Sequence, residues 1–395
     1  MTASLKGPPR MSSRRRLDLS RLTGPQLLSI SLGLVFVVLA IFFHLQTGEI
    51  FFTPRNLSLL LRQASIVAVL AAGACVLMVM REIDLSAGSS VFLCGVASAV
   101  LTVQWGLPTS VAVVAAIVLG LALGLWQGFW VVRFGIPSFI VTLAGLLAFR
   151  GIGLVWTNSS TVGPVPPELQ ALSEAFIPPN GSIGLIVVVF VAVVGLALRR
   201  LVLHRSEPAE MRREDIVRTA TQLGVFAIGL GLLAWAAGGF LGIPFTLMWS
   251  VAVGVVLWFV MSRSTFGRNA YLIGSNREAA EFAGISVKKH IFGGFLIMGA
   301  LYGIGGVLLT ARLSAASPSS GTNLELDAIA AAVIGGTALV GGVGTIPGAM
   351  IGALLLATID NGMSLMNVSS SAQLIVKGLV LLGALGINAY LLRRR

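Results

Sequence analysis

Five carboxylates sit inside or at the edges of long apolar runs in this 395-residue chain: Glu82, Asp84, Glu325, Asp327 and Asp360. In an apolar setting such groups can hold protons or cations, and each costs roughly 2.5–3.5 kcal/mol to insert at the centre of a bilayer. Four of them form two Glu-x-Asp pairs, Glu82-Ile-Asp84 and Glu325-Leu-Asp327, each opening a stretch of small residues. At a helix start, an acidic side chain also accepts hydrogen bonds from free N–H groups and complements the positive helix end. For Asp84 and Asp327 a capping role and a place beside a pathway both stand open. Arg81, Arg150, Arg312 and Lys377 are the available counter-charges, with no pairing readable from sequence. Nothing resembling a catalytic centre accompanies them. His44, His204 and His290 are far apart, so neither a metal cluster nor a nucleophile–base pair is expected. Ser286-Val-Lys-Lys289 satisfies Ser-x-x-Lys in form only. Cys75 and Cys94 lie in apolar runs and define no disulfide framework. No Gly-x4-Gly-Lys-Ser/Thr occurs, so no loop here cradles a nucleotide phosphate.

The elements that position these residues follow from composition. Charged residues make up 11% of the chain and hydrophobic ones 56%, with a mean hydropathy of +0.94. A soluble globule, a disordered protein and a disulfide-stapled domain are excluded. The net charge of +12 lacks the folded soluble domain that a nucleic-acid reader needs, so no nucleic-acid partner is expected. Leu85 to Val132 and Thr219 to Ser262 carry no charge over 48 and 44 residues, each about two bilayer crossings. The ten-residue alternation of a membrane β-barrel is absent. The expected fold is all-α: a polytopic membrane bundle of about 10–12 helices. Apolar segments fall at about 27–47, 57–80, 88–106, 109–132, 135–157, 181–201, 219–240, 243–262, 290–312, 326–343, 346–367 and 370–392. The third and tenth are short enough to be broken or re-entrant.

Basic residues set the orientation. Lys6, Arg10, Arg14–Arg16 and Arg21, the cluster from Arg199 to Arg218, the stretch from Arg263 to Lys289, Arg393–Arg395, Arg81 and Arg133 all fall on one side. Only Arg55, Arg62, Arg150, Arg312 and Lys377 do not. This orientation places both termini in the cytoplasm. A basic tail is expected over 1–24 and a transmembrane domain over 25–395.

The two Glu-x-Asp pairs lie 243 residues apart, and Gly120-x3-Gly124 and Gly348-x3-Gly352 lie 228 apart. Seven crossings separate the pairs, so related halves would be inverted, as in transporters with a substrate route at the junction. Chance similarity between glycine-rich helices explains such short matches as well. Close helix packing is the commoner use of membrane glycines. Trp126 with Gln127, on the glycine-lined segment, is the candidate pair for lining such a route.

The most informative polar segment is 263–289. Gly274 permits a turn, Ser275 or Asn276 can cap, Arg277 to Ala283 favour a helix of about two turns, and Gly284 stops it. Such a helix is too short to stand alone and needs a surface to pack on, either a partner subunit or the chain's own membrane domain. Thr265-x-Gly267-Arg268 followed by Gly274-x-Asn276-x-x-Ala279-Ala280-x-x-x-Gly284-Ile resembles the cytoplasmic coupling loop of permease subunits in bacterial ABC sugar importers. Glu82-Ile-Asp84-Leu-Ser86 with Gly88 resembles that family's Gly-Ile-Asp-Leu-Ser-x-Gly motif, Glu82 replacing the usual glycine. Pro137-x-Phe139-Ile-x-Thr142-Leu with Arg150-Gly151, and Glu325-Leu-Asp327 with Gly335-Gly336-Thr337 and Gly341-Gly342, resemble two further signatures. The inserted hairpin at 219–262, just before the loop, is similar to the D-xylose permease subgroup.

This resemblance implies a homodimer with a path between two copies, an external sugar-binding protein and a separate ATPase subunit docked on each coupling helix. The chain itself is expected to be no enzyme and to hold no cofactor, ATP being used by the ATPase. The resemblance assigns Gly267, Arg268, Gly274, Asn276, Glu278, Ala279, Ala280 and Gly284 to ATPase coupling. The residues expected along the translocation path are Glu82, Asp84, Ser86, Trp126, Gln127, Pro137, Thr142, Glu325 and Asp327. The competing reading is a stand-alone carrier driven by protons or sodium through the embedded carboxylates. An integral-membrane enzyme is disfavoured for want of a reactive cluster.

Overall fold

A computed structural model describes residues 24–203 and 209–393. Apart from Gly24, the expected tail at 1–24 lies outside the described residues. Helices carry nearly everything else, because backbone polar groups in hydrocarbon must be satisfied within their own segment. Five helices come first: α1 (Gly24–Gln46), α2 (Pro54–Val79), α3 (Ala87–Ala99, extended by a π-helical turn over Val100–Gln104), α4 (Thr109–Phe134) and α5 (Ser138–Trp156). Short α6 (Pro167–Glu174) and a two-residue strand β1 (Phe176–Ile177) precede α7 (Pro179–Leu203) and α8 (Ala209–Gly238). Strand β2 (Ile243–Pro244) pairs antiparallel with β1 and leads into α9 (Phe245–Arg263). Then follow α10 (Thr265–Ser275), α11 (Arg277–Phe282), α12 (Val287–Leu313), α13 (Leu324–Ile334), α14 (Ile346–Leu365) and α15 (Ser370–Arg393). Prolines mark the starts: Pro54 opens α2, and Pro108, Pro137 and Pro244 immediately precede α4, α5 and α9, where a fixed φ and a missing N–H cost nothing.

All twelve apolar segments contain helix, but they are unequal. Nine helices among the described residues are long and apolar enough to cross a membrane, while α1 and α15 add the shorter apolar stretches Gly33–Gln46 and Ser370–Gly383. The tenth segment, expected at 326–343, is helical only as far as Ile334. Beyond it Gly336, Gly341 and Gly342 take left-handed φ values of 92°, 81° and 74°, a conformation that side chains resist.

Helices α2, α3, α12 and α14 form the centre; α3 is 89% buried in its apolar window, against 11% for α7. Within the expected hairpin 219–262 the two helices pack differently. Helix α9 joins the main core through Leu257 and Met261, whereas α8 pairs with α7 around a separate small cluster of Ile186, Ala237 and Ile243.

Glycines set the central helix contacts. A Cβ on Gly124 would lie 2.3 Å from the Phe295 carbonyl oxygen and 2.9 Å from Gly299 Cα, and one on Gly352 would lie 2.0 Å from the Ala331 carbonyl oxygen. Thus α4 meets α12, and α14 meets α13, backbone to backbone, as small-xxx-small packing allows. Short helices α3 and α13 begin side by side. A Cβ on Gly88 would meet the Gly321 carbonyl oxygen at 2.3 Å. From there α13 leads to a loop beside α10, whereas α3 leads to the turn that starts α4, whose far end returns to the α10–α11 end. Two short helices that start together and run to opposite ends are what inverted halves produce.

Gly124→Leu forces backbone apart, so its cost exceeds the roughly 1–3 kcal/mol of ordinary overpacking. Membrane accumulation of that variant, read by immunoblot, is expected to fall at least fivefold. Gly224→Leu on α8, where a Cβ meets nothing within 4 Å, is expected to accumulate normally.

Candidate functional site

The polar segment after α9 folds into two helices rather than one. Ser264 caps α10 by accepting from the Gly267 amide at 3.2 Å, and Asn276 caps α11 by accepting from the Ala279 amide at 3.0 Å. Gly267 is buried where a Cβ would lie 2.1 Å from the Met261 carbonyl oxygen. Gly274 is not a turn glycine, as its sequence context suggests. It lies within α10, and a Cβ there would come within 1.7 Å of the Val79 carbonyl oxygen. The break falls instead at Asn276, and α11 ends at Phe282, followed by Gly284 with φ 78°.

Three parts of the chain meet where α10 ends. The Arg81 guanidinium donates to the terminal carbonyls of α10, Gly274 at 2.7 Å and Ser275 at 2.9 Å, which places a cation on a negative helix end. The Gly342 amide donates to the Val79 carbonyl at 2.9 Å, and the Tyr271 hydroxyl donates to the Gly344 carbonyl at 2.8 Å. Burial pushes the Tyr271 phenol up to about 12, so it remains a donor at any physiological pH. Arg277 opens α11 and approaches Glu82 at 3.8 Å and Glu281 at 3.8 Å. Burial raises the Glu82 carboxyl above the usual range; the Ser138 hydroxyl and the Arg277 charge pull it back.

On α11 itself Ala280 is buried, while Glu278 and Ala279 face outward, as does Arg268 on α10. Phe282 is 91% exposed. Burying a phenylalanine gains roughly 1.5–3 kcal/mol, so a bare one on a capped polar helix is an unfilled contact. Its signal in the sequence was a single aromatic in an otherwise polar turn, three residues after Ala279 and on the face opposite Ala280.

A second constellation surrounds the connection from α2 to α3, residues 80–86. This backbone is not helical, so side chains must satisfy it. Ser138 and Thr142 on α5 accept from the amides of Ile83 and Leu85, each at 3.1 Å. Pro137 stands just before them at the α5 start. Asp84 accepts from the Ser86 amide at 2.8 Å and hydroxyl at 2.7 Å. The Tyr302 hydroxyl on α12 lies against the other Asp84 oxygen and 3.0 Å from Gln127 Oε1 on α4, and Gln127 Nε2 donates to Ser86. Asp84, Ser86, Gln127, Thr142 and Tyr302 are each at most 5% exposed, so in this conformation they fill a closed core. Tyr302, the hub of the cluster, looks in the sequence like any aromatic of an apolar helix.

The remaining candidates separate. Glu325 lies in the first turn of α13 beside Gly88. Arg150 donates to the Ser320 and Pro318 carbonyls, at 2.7 and 3.2 Å, just before α13. Asp327 faces away from this cluster to Lys377, which donates to both its oxygens at 3.0 and 3.1 Å and pairs with Asp360 at 2.9 Å. That bridge ties α13, α14 and α15. Trp126, unlike its neighbour Gln127, is 38% exposed and packs edge-on against Phe149. Among the described residues no group of three or more metal-ligating side chains occurs.

Comparison with known proteins agrees with this architecture. Residues 56–385 match the family model described as branched-chain amino acid transport system / permease component. A xylose transport system permease protein of Haemophilus influenzae is 39% identical over 315 residues, 78% of this chain and 83% of that protein. Its counterpart from Escherichia coli K12 is 39% identical over 307 residues, 75% of each chain. The ribose import permease protein of the same strain is 33% identical over 286 residues, covering 72% of this chain and 70% of the relative. No solved structure matches. A bundle of membrane-length helices, two short helices opposed at its centre and a match over most of the chain lead to one conclusion: the chain belongs to this family of transport-system permease components, and is not an enzyme.

Proposed function

We propose that the protein is the membrane-spanning subunit of an ATP-binding-cassette importer that carries a pentose, D-xylose, across a bacterial inner membrane. The sugar follows from the xylose relatives at 39% identity over three quarters of the chain, above the ribose and allose relatives at 33% and 29%. The ATP-driven reading is carried by α11. A six-residue helix, capped by Asn276 and presenting Phe282, Glu278 and Ala279 outward, is a docking element for a separate subunit. The chain has no phosphate-cradling loop of its own, so that subunit is an ATPase. With the basic segments and both termini on the cytoplasmic side, α10 and α11 face it. A sugar-binding protein delivers substrate from outside, and two copies of the chain enclose the route.

The work is mechanical. Closure of the ATPase pair on ATP displaces α11, and Arg277 carries the displacement to Glu82. Arg81 grips the last carbonyls of α10, and Tyr271 reaches the 341–344 loop, so α10 moves with the end of α2 and the tail of α13. The short helices α3 and α13 are therefore the parts shifted between outward- and inward-open states. A carrier coupled to protons or sodium has no use for this docking helix.

Phe282→Asp and Glu278→Arg are expected to leave the permease in the membrane at normal levels while sugar uptake and co-purification of the ATPase fall at least tenfold. Gly274→Asp behaves differently: its side chain collides with the Val79 carbonyl, and immunoblots are expected to find little folded protein. In proteoliposomes holding permease, ATPase and binding protein, xylose accumulates with ATP and not with a proton gradient alone. Accumulation without ATP would sink the importer reading.

A further inference from the structure

The closed core around Asp84 can be counted proton by proton. Four contacts link four side chains in a ring. Asp84 Oδ1 meets the Ser86 hydroxyl at 2.7 Å, Ser86 meets Gln127 Nε2, Gln127 Oε1 meets the Tyr302 hydroxyl at 3.0 Å, and Tyr302 meets Asp84 Oδ2. Each contact needs one hydrogen between its two heavy atoms. If Asp84 is ionised, the ring supplies only three: one from Ser86, one from Tyr302 and one from the Gln127 amide facing it. The Tyr302 hydroxyl cannot donate to Asp84 and to Gln127 at once. Exchanging the oxygen and nitrogen of Gln127 does not help. Its amide then donates to Tyr302 and Tyr302 to Asp84, but the single Ser86 proton must serve both Gln127 Oε1 and Asp84 Oδ1. The Ser90 hydroxyl, 3.2 Å from Ser86 Oγ, adds a donor to Ser86 and none to the deficient contact. In both arrangements two acceptors face each other in a core sealed from water, where an unmade hydrogen bond is most costly.

One added proton closes the ring. With Asp84 a neutral acid, Oδ2–H donates to Tyr302, Tyr302 to Gln127 Oε1, Gln127 Nε2 to Ser86, and Ser86 to Asp84 Oδ1. Each of the four contacts in the ring then has one hydrogen. We infer that Asp84 carries a proton in the folded protein, and that as a neutral donor it fastens the start of α3 to α4 and α12. The charges nearby favour this state. Among the described residues no Lys, Arg or His comes within 4 Å of the Asp84 carboxyl. The other groups around the ring are the Glu325 carboxyl from α13, with the Arg150 guanidinium of α5 acting on it, the Cys94 thiol of α3 near Tyr302, and the uncharged Ser138 and Thr142 of α5. Glu82, on the same connection, faces Arg277 instead. Asp84 is thus a positioning residue: it acts through Ser86, Tyr302 and Gln127 to hold the short helix in place.

The test uses the full-length protein purified in detergent or nanodiscs. Infrared spectra are expected to show a protonated-carboxyl C=O band that persists from about pH 5 to about pH 8 and disappears in Asp84→Asn. The amide of that variant donates to Tyr302 as the acid does, so it is expected to reach the membrane at wild-type levels. Melting temperature supplies a second readout. Unfolding releases the Asp84 proton at any pH above about 3.9, so its stabilisation is complete below that value and declines as pH rises. The melting temperature of Asp84→Asn relative to wild type is therefore expected to climb between about pH 5 and about pH 8. Asp84→Leu, which removes donor and acceptor together, is expected to melt lower throughout. Absence of the band, failure of Asp84→Asn to accumulate, or a relative melting temperature that falls with pH would each overturn the assignment. None of these readouts depends on which energy source drives transport.

Discussion

Two stretches of backbone, 80–86 and 335–345, leave the helical state among helices built for hydrocarbon, and each must find its hydrogen-bond partners in protein. The rest of the structure is arranged around this requirement. Ser138 and Thr142 serve the first stretch from α5, and the Asp84 ring anchors its far end. The second is served by Val79, which accepts from Gly342, and by Tyr271, which donates to Gly344. An unsatisfied amide or carbonyl in lipid costs several kcal/mol, which makes these polar side chains structural requirements in a chain that is otherwise apolar.

The same two stretches are where α10 and α11 attach. Arg81, in the first of them, holds α10 by its last carbonyls, while Gly274 lets α10 approach Val79 closely enough for that grip. In the proposed mechanism a displacement of α11 therefore reaches the starts and ends of the short helices without passing through the long, glycine-packed ones. Those, α4 on α12 and α14 on α13, touch backbone to backbone and have no slack. The combination suits a machine with rigid walls and a small moving centre. The Lys377 bridge to Asp327 and Asp360 has a different part in it, neutralising embedded charge while fastening α15 to α13 and α14.

Much of this was legible from residue order. The helices, their approximate limits and a cap at Ser275 or Asn276 follow from hydropathy, prolines, glycines and capping residues, all of which act within a few residues, and the structure selects Asn276. The importance of Glu82-Ile-Asp84 and Glu325-Leu-Asp327 was visible too, because acid is rare in apolar surroundings. What each acid does was not. Glu82 faces Arg277, Asp84 faces Tyr302 and Gln127, Glu325 lies beside Gly88, and Asp327 is held by Lys377, partners between 43 and 237 positions away in the chain. Gly274 shows the limit most plainly. Its local context suggests a turn, and only the carbonyl of Val79, far off in sequence, turns that glycine into a point of close approach.

The amino-acid order by itself determined the fold class, the span pattern, the absence of a phosphate-binding loop and the existence of a short helix after α9. Each depends on composition or on neighbours one or two turns away. Tertiary structure alone decided that Phe282 is bare, that Asp84 closes a ring with Tyr302, and that α10 is gripped by Arg81. Exposure and pairing are properties of surfaces brought together from distant parts of the chain, and in an apolar protein the few polar residues have many possible partners until packing selects one.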